Sequence, residues 1–254
     1  AVTGVQTCAL PIYLQSEINS SQYGSVNKAA QLPPADYKLV CHLPRGRSVY
    51  TFCMCPGGQV VAAASEAGGV VTNGMSHFAR DHVNANCALL VGADPSDFPE
   101  AGPLGGIYWQ QAIEGKAYRL AGGGYRAPAQ RLGSFMRHQT NLKKQAEDHL
   151  KPSYEPGVSW CELGDCLPDF VYSALQESLP ILERKLAGFS SPDAILTGVE
   201  TRSSSPLRIL RDNNLQASIR GVFPCGEGAG YAGGIVSAAA DGIRCAQAAV
   251  GLNN

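Results

Sequence analysis

The chain has 254 residues, of which 44% are hydrophobic and 16% charged, with a formal net charge of −1. That length supports one large domain or two small ones with real cores. The near-neutral balance removes any electrostatic argument for nucleic acid or an anionic membrane as partner, and no apolar run reaches the ~18 residues of a membrane span. Twenty-nine glycines and sixteen prolines gather in PGG, GGG and AGG clusters. Such clusters mark tight turns and places where backbone can approach a ligand. The nine cysteines form no C-x-x-C pair. Cys161 and Cys166 have no histidine at zinc-ligand spacing, so no metal site is expected. Reduced, buried thiols in a cytosol-like compartment are the expectation.

Residues 1–12, AVTGVQTCALPI, carry neither a cationic n-region nor an uninterrupted apolar core, so they are not a signal peptide. They resemble an in-frame translation of sequencing adapter. On that reading the fold enters near Tyr13 and the polypeptide starts further upstream. From Asp36 to Val91 the text reads as short strands rich in β-branched and aromatic residues: Tyr37–His42, Ser48–Met54, Gln59–Ala63, Gly69–Thr72 and Cys87–Val91. The turn signals PRGR, CPGG and SEAG separate the first four, a spacing that favours an antiparallel meander over βαβ units. Helical periodicity follows over Leu104–Leu120 and again over Ala129–Met136, and residues 138–160 read as a polar loop or lid. Pro168–Leu186 is the clearest amphipathic helix, with a start signal in Asp-Cys-Leu-Pro and an expected interruption near Pro180. Ala194–Val199 and Ser218–Phe223 are strand candidates, and a final helix is predicted over Gly233–Val250.

The stretch FPCGEGAGYAGGI, Phe223–Ile235, contains Gly228, Gly230 and Gly233 at G-x-G-x-x-G spacing. A Rossmann fingerprint opens a βαβ unit and is answered by an acidic residue ~20 positions on. Here no second strand follows, so this is not the first crossover of a dinucleotide fold. The local physics remains: a strand ending at Cys225, then glycines, then a helix start aims several backbone N–H groups at one spot. The helix end adds roughly half a positive charge. An anion or an electron-rich carbonyl suits such a place; a plain structural turn is the alternative.

GEGAGYAGGIVSAAADGIRCAQA resembles the C-terminal FAD segment of two-dinucleotide-fold flavoproteins. More narrowly, together with SVYTFCMCPGGQVV, GGVVTNGMSHFARD, NANCALLVG, GGGYRAPAQRLGSF, KPSYEPGV, DCLPDF and LTGVETRSSSPLRI, it is similar to the bacterial and plastid family of FAD-dependent dehydrogenases that share an FAD-dependent protein C-terminal domain. The resemblance spans roughly residues 14–250. It implies an FAD-dependent oxidoreductase of glutathione-reductase type, α/β when complete. This chain would be its α+β C-terminal part: an antiparallel substrate-binding portion over 13–193, then the returning last strand and helix of the FAD domain over 194–254. Gly226, Glu227, Gly228, Gly230, Gly233, Gly234 and Ile235 would contact the cofactor. The first two would lie near ribityl or phosphate groups, and the last three would bring the helix N-terminus to the pyrimidine end of the isoalloxazine. NAD(P)H is a further cofactor the family admits. The N-terminal dinucleotide-binding half, needed in cis, is missing, so the fragment alone is expected to be inactive. A cytoplasmic location follows, or a plastid one in a plant or alga.

Other residues offer weaker chemistry. Period-two alternation puts Cys53 and Cys55 on one face of a strand end, as pocket-lining thiols or structural ones. Arg202, Ser203 and Arg208 in TRSSSPLR suit a carboxylate or phosphate, or form a charged surface turn. Asn73, Arg126 and Gln130 are candidates for lining the pocket of a small-molecule substrate, while His77 reads as a satisfied polar residue. No general base stands out. Two alternatives to the oxidoreductase remain at this level: a non-enzymatic nucleotide- or anion-binding module, and thiol chemistry at Cys53 and Cys55.

Overall fold

A computed structural model describes residues 5–7, 10–19, 38–99, 102–137 and 151–251. The chain divides into two compact units: residues 12–92 with 112–201, and residues 1–11 with 93–111 and 202–254. The architecture is mixed α and β with mainly antiparallel pairing.

The larger unit is built on a seven-stranded sheet. Its strands are β2 (Leu10–Asn19), β3 (Val40–His42), β4 (Ser48–Cys55), β7 (Asn84–Ala93), β8 (Ala127–Arg131), β9 (Val158–Trp160) and β10 (Ile195–Glu200), in the order β3-β4-β7-β2-β10-β8-β9. The pairs β3–β4, β4–β7, β2–β10 and β8–β10 are antiparallel, and β8–β9 is parallel. Strand β7 is buried along almost its whole length. Its run CALLV is therefore continuously apolar rather than alternating, as for a strand covered on both faces. Two further strands, β5 (Gly58–Ala62) and β6 (Thr72–Ser76), form a separate antiparallel ribbon. The predicted meander is thus only partly realised. β4 turns straight into β5 but pairs with β7, because the apolar face of β7 has to be buried whereas a two-stranded ribbon can stand beside the sheet.

Three helical predictions are modified. Leu104–Leu120 becomes helix α1 (Gly105–Leu120). Ala129–Met136 is not one helix: its first residues belong to β8, and only Leu132–Arg137 form helix α2. The APAQR segment is buried throughout and hydrogen-bonded between β9 and β10, and that ladder overrides helical spacing. Helix α3 (Asp169–Lys185) runs through Pro180 without a break. Its N-cap is Pro168, with no capping side chain, so the expected cap and interruption are both absent. Burial explains the continuity: Val171, Ala174, Leu175, Leu179 and Leu182 are all inside, and α3 packs on β3 and β4. Tertiary burial of that stripe outweighs the roughly 3 kcal/mol a helix-interior proline costs.

In the smaller unit, β1 (Val5–Thr7) pairs antiparallel with β11 (Leu207–Ile209), so the segment 1–12 contributes backbone to β1 and to the start of β2. Asp94 caps a 3₁₀ turn over Pro95–Asp97 through a capping box. Phe98 packs on Trp109, ring centroids 5.2 Å apart. The predicted strand Ser218–Phe223 is a run of turns and bends. Its backbone bonds close locally, Ala217 N–H to Val222 O and Val222 N–H to Ile219 O. The chain ends in helix α4 (Ile235–Ala249). Of the polar stretch predicted as a loop or lid, residues 138–150 lie outside the described residues, as does Tyr37 of the first predicted strand.

Candidate functional site

The glycine loop is reached through turns, not through a strand, and is shaped by a buried charge pair from two distant segments. Asp241, one and a half turns into α4, is 1% exposed. Its carboxylate accepts from Arg211 Nη1 at 3.0 Å and Nη2 at 2.8 Å, and from the Gly226 N–H at 2.9 Å. Arg244 Nη2 adds a contact at 3.2 Å. The Arg211 hydrogen bonds, helped by the Gly226 N–H, outweigh burial and hold the Asp241 carboxyl down at about 2. Such bidentate, charge-assisted geometry is what makes a buried aspartate tolerable.

Arg211 does more than neutralise. Its Nη1 also donates to Pro224 O at 2.8 Å and to Cys245 Sγ at 3.2 Å, and its guanidinium lies 3.6 Å from the centroid of the Tyr231 ring. Tyr231 in turn donates its hydroxyl to Ile209 O and its N–H to Gly226 O. Arg208 Nε donates to Gly230 O at 2.8 Å. Ser205 Oγ donates to Gly228 O at 3.1 Å. The loop 224–231 is therefore held at four backbone positions, Pro224, Gly226, Gly228 and Gly230, by side chains from outside it.

Two glycines are required by this path. Gly226 and Gly230 have φ of +69° and +80°, and a Cβ on Gly230 would lie 2.4 Å from Leu207 O. Gly228 and Gly233 are different: a Cβ on either meets nothing within 4 Å. Among the described residues no acceptor faces the N–H groups of Glu227, Gly228, Ala229, Gly233 or Gly234. Helix α4 begins after Gly234 without a side-chain cap. The hydroxyl of Ser203, in the same unit, is buried and has no hydrogen-bond partner among the described residues. Burial pushes the Glu227 carboxyl up. Chemically the loop offers spare donors, open space over glycine backbone and the positive end of a fifteen-residue helix.

The sequence-selected residues separate between the two units. Gly226, Glu227, Gly228, Gly230, Gly233, Gly234 and Ile235 are together in the smaller one, with Arg202, Ser203 and Arg208. The Gly226 N–H is already taken by Asp241, and Arg208 is committed to Gly230 O and to the Tyr231 face, 5.1 Å away. In the larger unit, Gln130 is fully buried; its amide bonds Glu162 at 2.8 Å and the Leu163 N–H at 3.1 Å. Arg126 is tied to Ser159 Oγ at 3.0 Å and to Val158 O. Asn73 Oδ1 accepts the N–H of Gly74. His77 stacks on His82 with centroids 4.9 Å apart.

The period-two argument for Cys53 and Cys55 fails. Phe52 pairs with Ala88 but Cys55 with Asn86, so one extra residue is inserted on β4, and Cys53 sits at φ +48° in that bulge. Cys53 is exposed while Cys55 is partly buried, its thiol raised by burial first and by Glu200. Beside it Asn86 is 2% exposed with neither amide atom partnered among the described residues.

Sequence reasoning missed Asp241, Arg211, Tyr231 and Cys245. One signal was present: Asp241 is the sole acidic residue in IVSAAADGIRCAQAAV, where Arg244 and Gln247 are the other large polar residues.

Residues 12–203 match the family described as FAD-dependent protein, C-terminal domain-like. The chain belongs to this family. It is also 47% identical, over 235 residues, to an uncharacterized protein of Clostridium beijerinckii, a match covering 92% of this chain and 44% of that relative. The chain therefore spans less than half the length of the curated relative it matches. The family match ends at residue 203, so it contains the larger unit and stops before the glycine loop of this FAD-dependent C-terminal domain protein.

Proposed function

We propose that this chain is the C-terminal portion of an FAD-dependent oxidoreductase of glutathione-reductase type, and that the loop 226–235 closes a flavin site opened by a dinucleotide-binding half elsewhere in the longer polypeptide. The observation that carries this reading is the loop itself. Glycine backbone with open space at Gly228 and Gly233, N–H groups without acceptors among the described residues and an uncapped helix start all fall within residues 227–235. A group with anionic or carbonyl oxygens satisfies those donors. FAD fits those donors, because its phosphates and flavin carbonyls are acceptors. Bound there, FAD would supply two-electron, hydride-accepting chemistry.

The chain's own residues hold and orient. Glu227, Gly228, Gly233 and Gly234 present N–H groups, and the α4 N-terminus favours negative charge on the ring system nearest it. The larger unit is the substrate-binding portion in this proposal. A relative more than twice as long as this chain gives the missing half a place in cis. The outer face of α4, where Ile235, Val236, Ile243 and Val250 are exposed, is where that half packs. No helix of the described residues is long and apolar enough to cross a membrane.

The test is to express the full reading frame that contains this chain and record its visible spectrum, then identify the chromophore released on denaturation. Flavin absorbance and free FAD are expected, bleached by a reductant such as NADH or NADPH. A colourless, well-folded full-length protein that does not take up added FAD would falsify the proposal.

A further inference from the structure

We infer that Asp241, with Arg211, is the positioning residue of the glycine loop, setting which of its N–H groups remain free for a ligand. The inference rests on the flavin reading above and goes beyond it, since neither residue belongs to the loop.

Three geometric facts carry it. Asp241 Oδ2 takes the N–H of Gly226 at 2.9 Å while Arg211 Nη1 takes the carbonyl of Pro224 at 2.8 Å. The residue between them, Cys225, is thereby fixed by both flanking peptides. Second, the same carboxylate and guanidinium bind each other in a bidentate pair, side chains 2% and 10% exposed, so neither rotates without leaving the other buried and uncompensated. Third, Arg211 lies on Tyr231, whose N–H returns to Gly226 O, so both polar groups of Gly226 are consumed. Beyond Gly226, the N–H groups of Glu227, Gly228 and Ala229 have no acceptor among the described residues. The pair therefore clamps 224–226, while the N–H groups of Glu227, Gly228, Ala229, Gly233 and Gly234 stay available. Its opposite charges cancel, so any anion preference of the loop comes from backbone N–H groups and the helix end, not from Arg211.

Asn at position 241 cannot reproduce the arrangement. Its single carbonyl oxygen accepts from Arg211 or from Gly226 while its NH₂ opposes the other donor. Lys at 211 keeps the charge but loses the planar fork. The experiment uses the full reading frame loaded with FAD, in wild type, Asp241→Asn, Arg211→Lys and Phe98→Leu, the last altering the Phe98–Trp109 packing as a stability control in the same unit. Expected are an FAD Kd raised at least tenfold and a shifted visible flavin spectrum in Asp241→Asn and Arg211→Lys, with Phe98→Leu near wild type at a comparable loss of Tm. In the 254-residue chain, the Gly226 amide should exchange at least tenfold faster in Asp241→Asn. An unchanged Kd and spectrum in both hub variants would overturn the inference while leaving the flavin reading intact, and an equal loss in Phe98→Leu would reduce the pair to a purely structural role. If wild type takes up no FAD, the flavin reading fails and the inference with it.

Discussion

Helices α3 and α4 are both amphipathic, yet they use their two faces in opposite ways. α3 turns its apolar stripe inward, burying Leu175, Leu179 and Leu182 completely. α4 turns Asp241 and Cys245 inward and leaves Ile235 92% and Ile243 61% exposed. An apolar stripe alone does not say which way a helix faces. In the larger unit hydrophobic burial sets the orientation. In the smaller unit a bidentate ion pair from the helix to Arg211 sets it instead, and the apolar face stays exposed.

That contrast can be broken at several points. Leu179→Ala should cost the larger unit about 3 kcal/mol, the usual loss for a fully buried leucine, read from the urea midpoint; a loss below about 1 kcal/mol would show that α3 is not core. In the smaller unit, Gly230→Ala should cost about 2 kcal/mol, because a Cβ at φ +80° meets Leu207 O at 2.4 Å. Gly228→Ala, where nothing lies within 4 Å, should leave stability nearly unchanged, so the two substitutions separate the sterically required glycine from the unhindered one.

Acid provides a graded version of the same test. The Asp241 carboxyl is held near 2 in the folded chain against an ordinary 3.8. A depressed folded value means the stabilisation is present above about 4 and disappears as pH falls from there through 2. Thermal melts of the wild-type chain should therefore lose stability across that window, and Asp241→Asn should show a shallower loss there. Matching slopes would mean that the pair contributes nothing to the acid limb. A small effect is expected at the outer face of α4: Ile243→Ser should shift the stability of the 254-residue chain by no more than about 0.5 kcal/mol. The same change in the full-length protein should weaken it measurably if the proposed half packs there.

Much of the architecture was legible in the residues. Turn chemistry in PRGR and CPGG marked the ends of β3, β4 and β5, and 3.6-residue periodicity located α1, α3 and α4 to within two residues. The glycine loop stood out by composition. The errors have a common physical origin. APAQR looked helical but is claimed by ladders to β9 and β10, and Ser218–Phe223 looked like a strand but found no partner to pair with. Cys53 and Cys55 looked co-facial until a bulge opposite Asn86 broke the alternation. Each of these depends on a neighbour distant in sequence.

By itself, then, the sequence determined most of the local elements and the presence of a glycine-rich loop before a small-residue helix. These follow from turn preferences, periodicity and side-chain size, which act over a few residues. Only the tertiary structure decided that β7 lies inside the sheet, that α4 faces inward with its aspartate, and that Arg211 and Asp241, thirty positions apart, fix the loop. Such pairings are settled by burial and by hydrogen-bond satisfaction across long separations, where no local pattern carries the information.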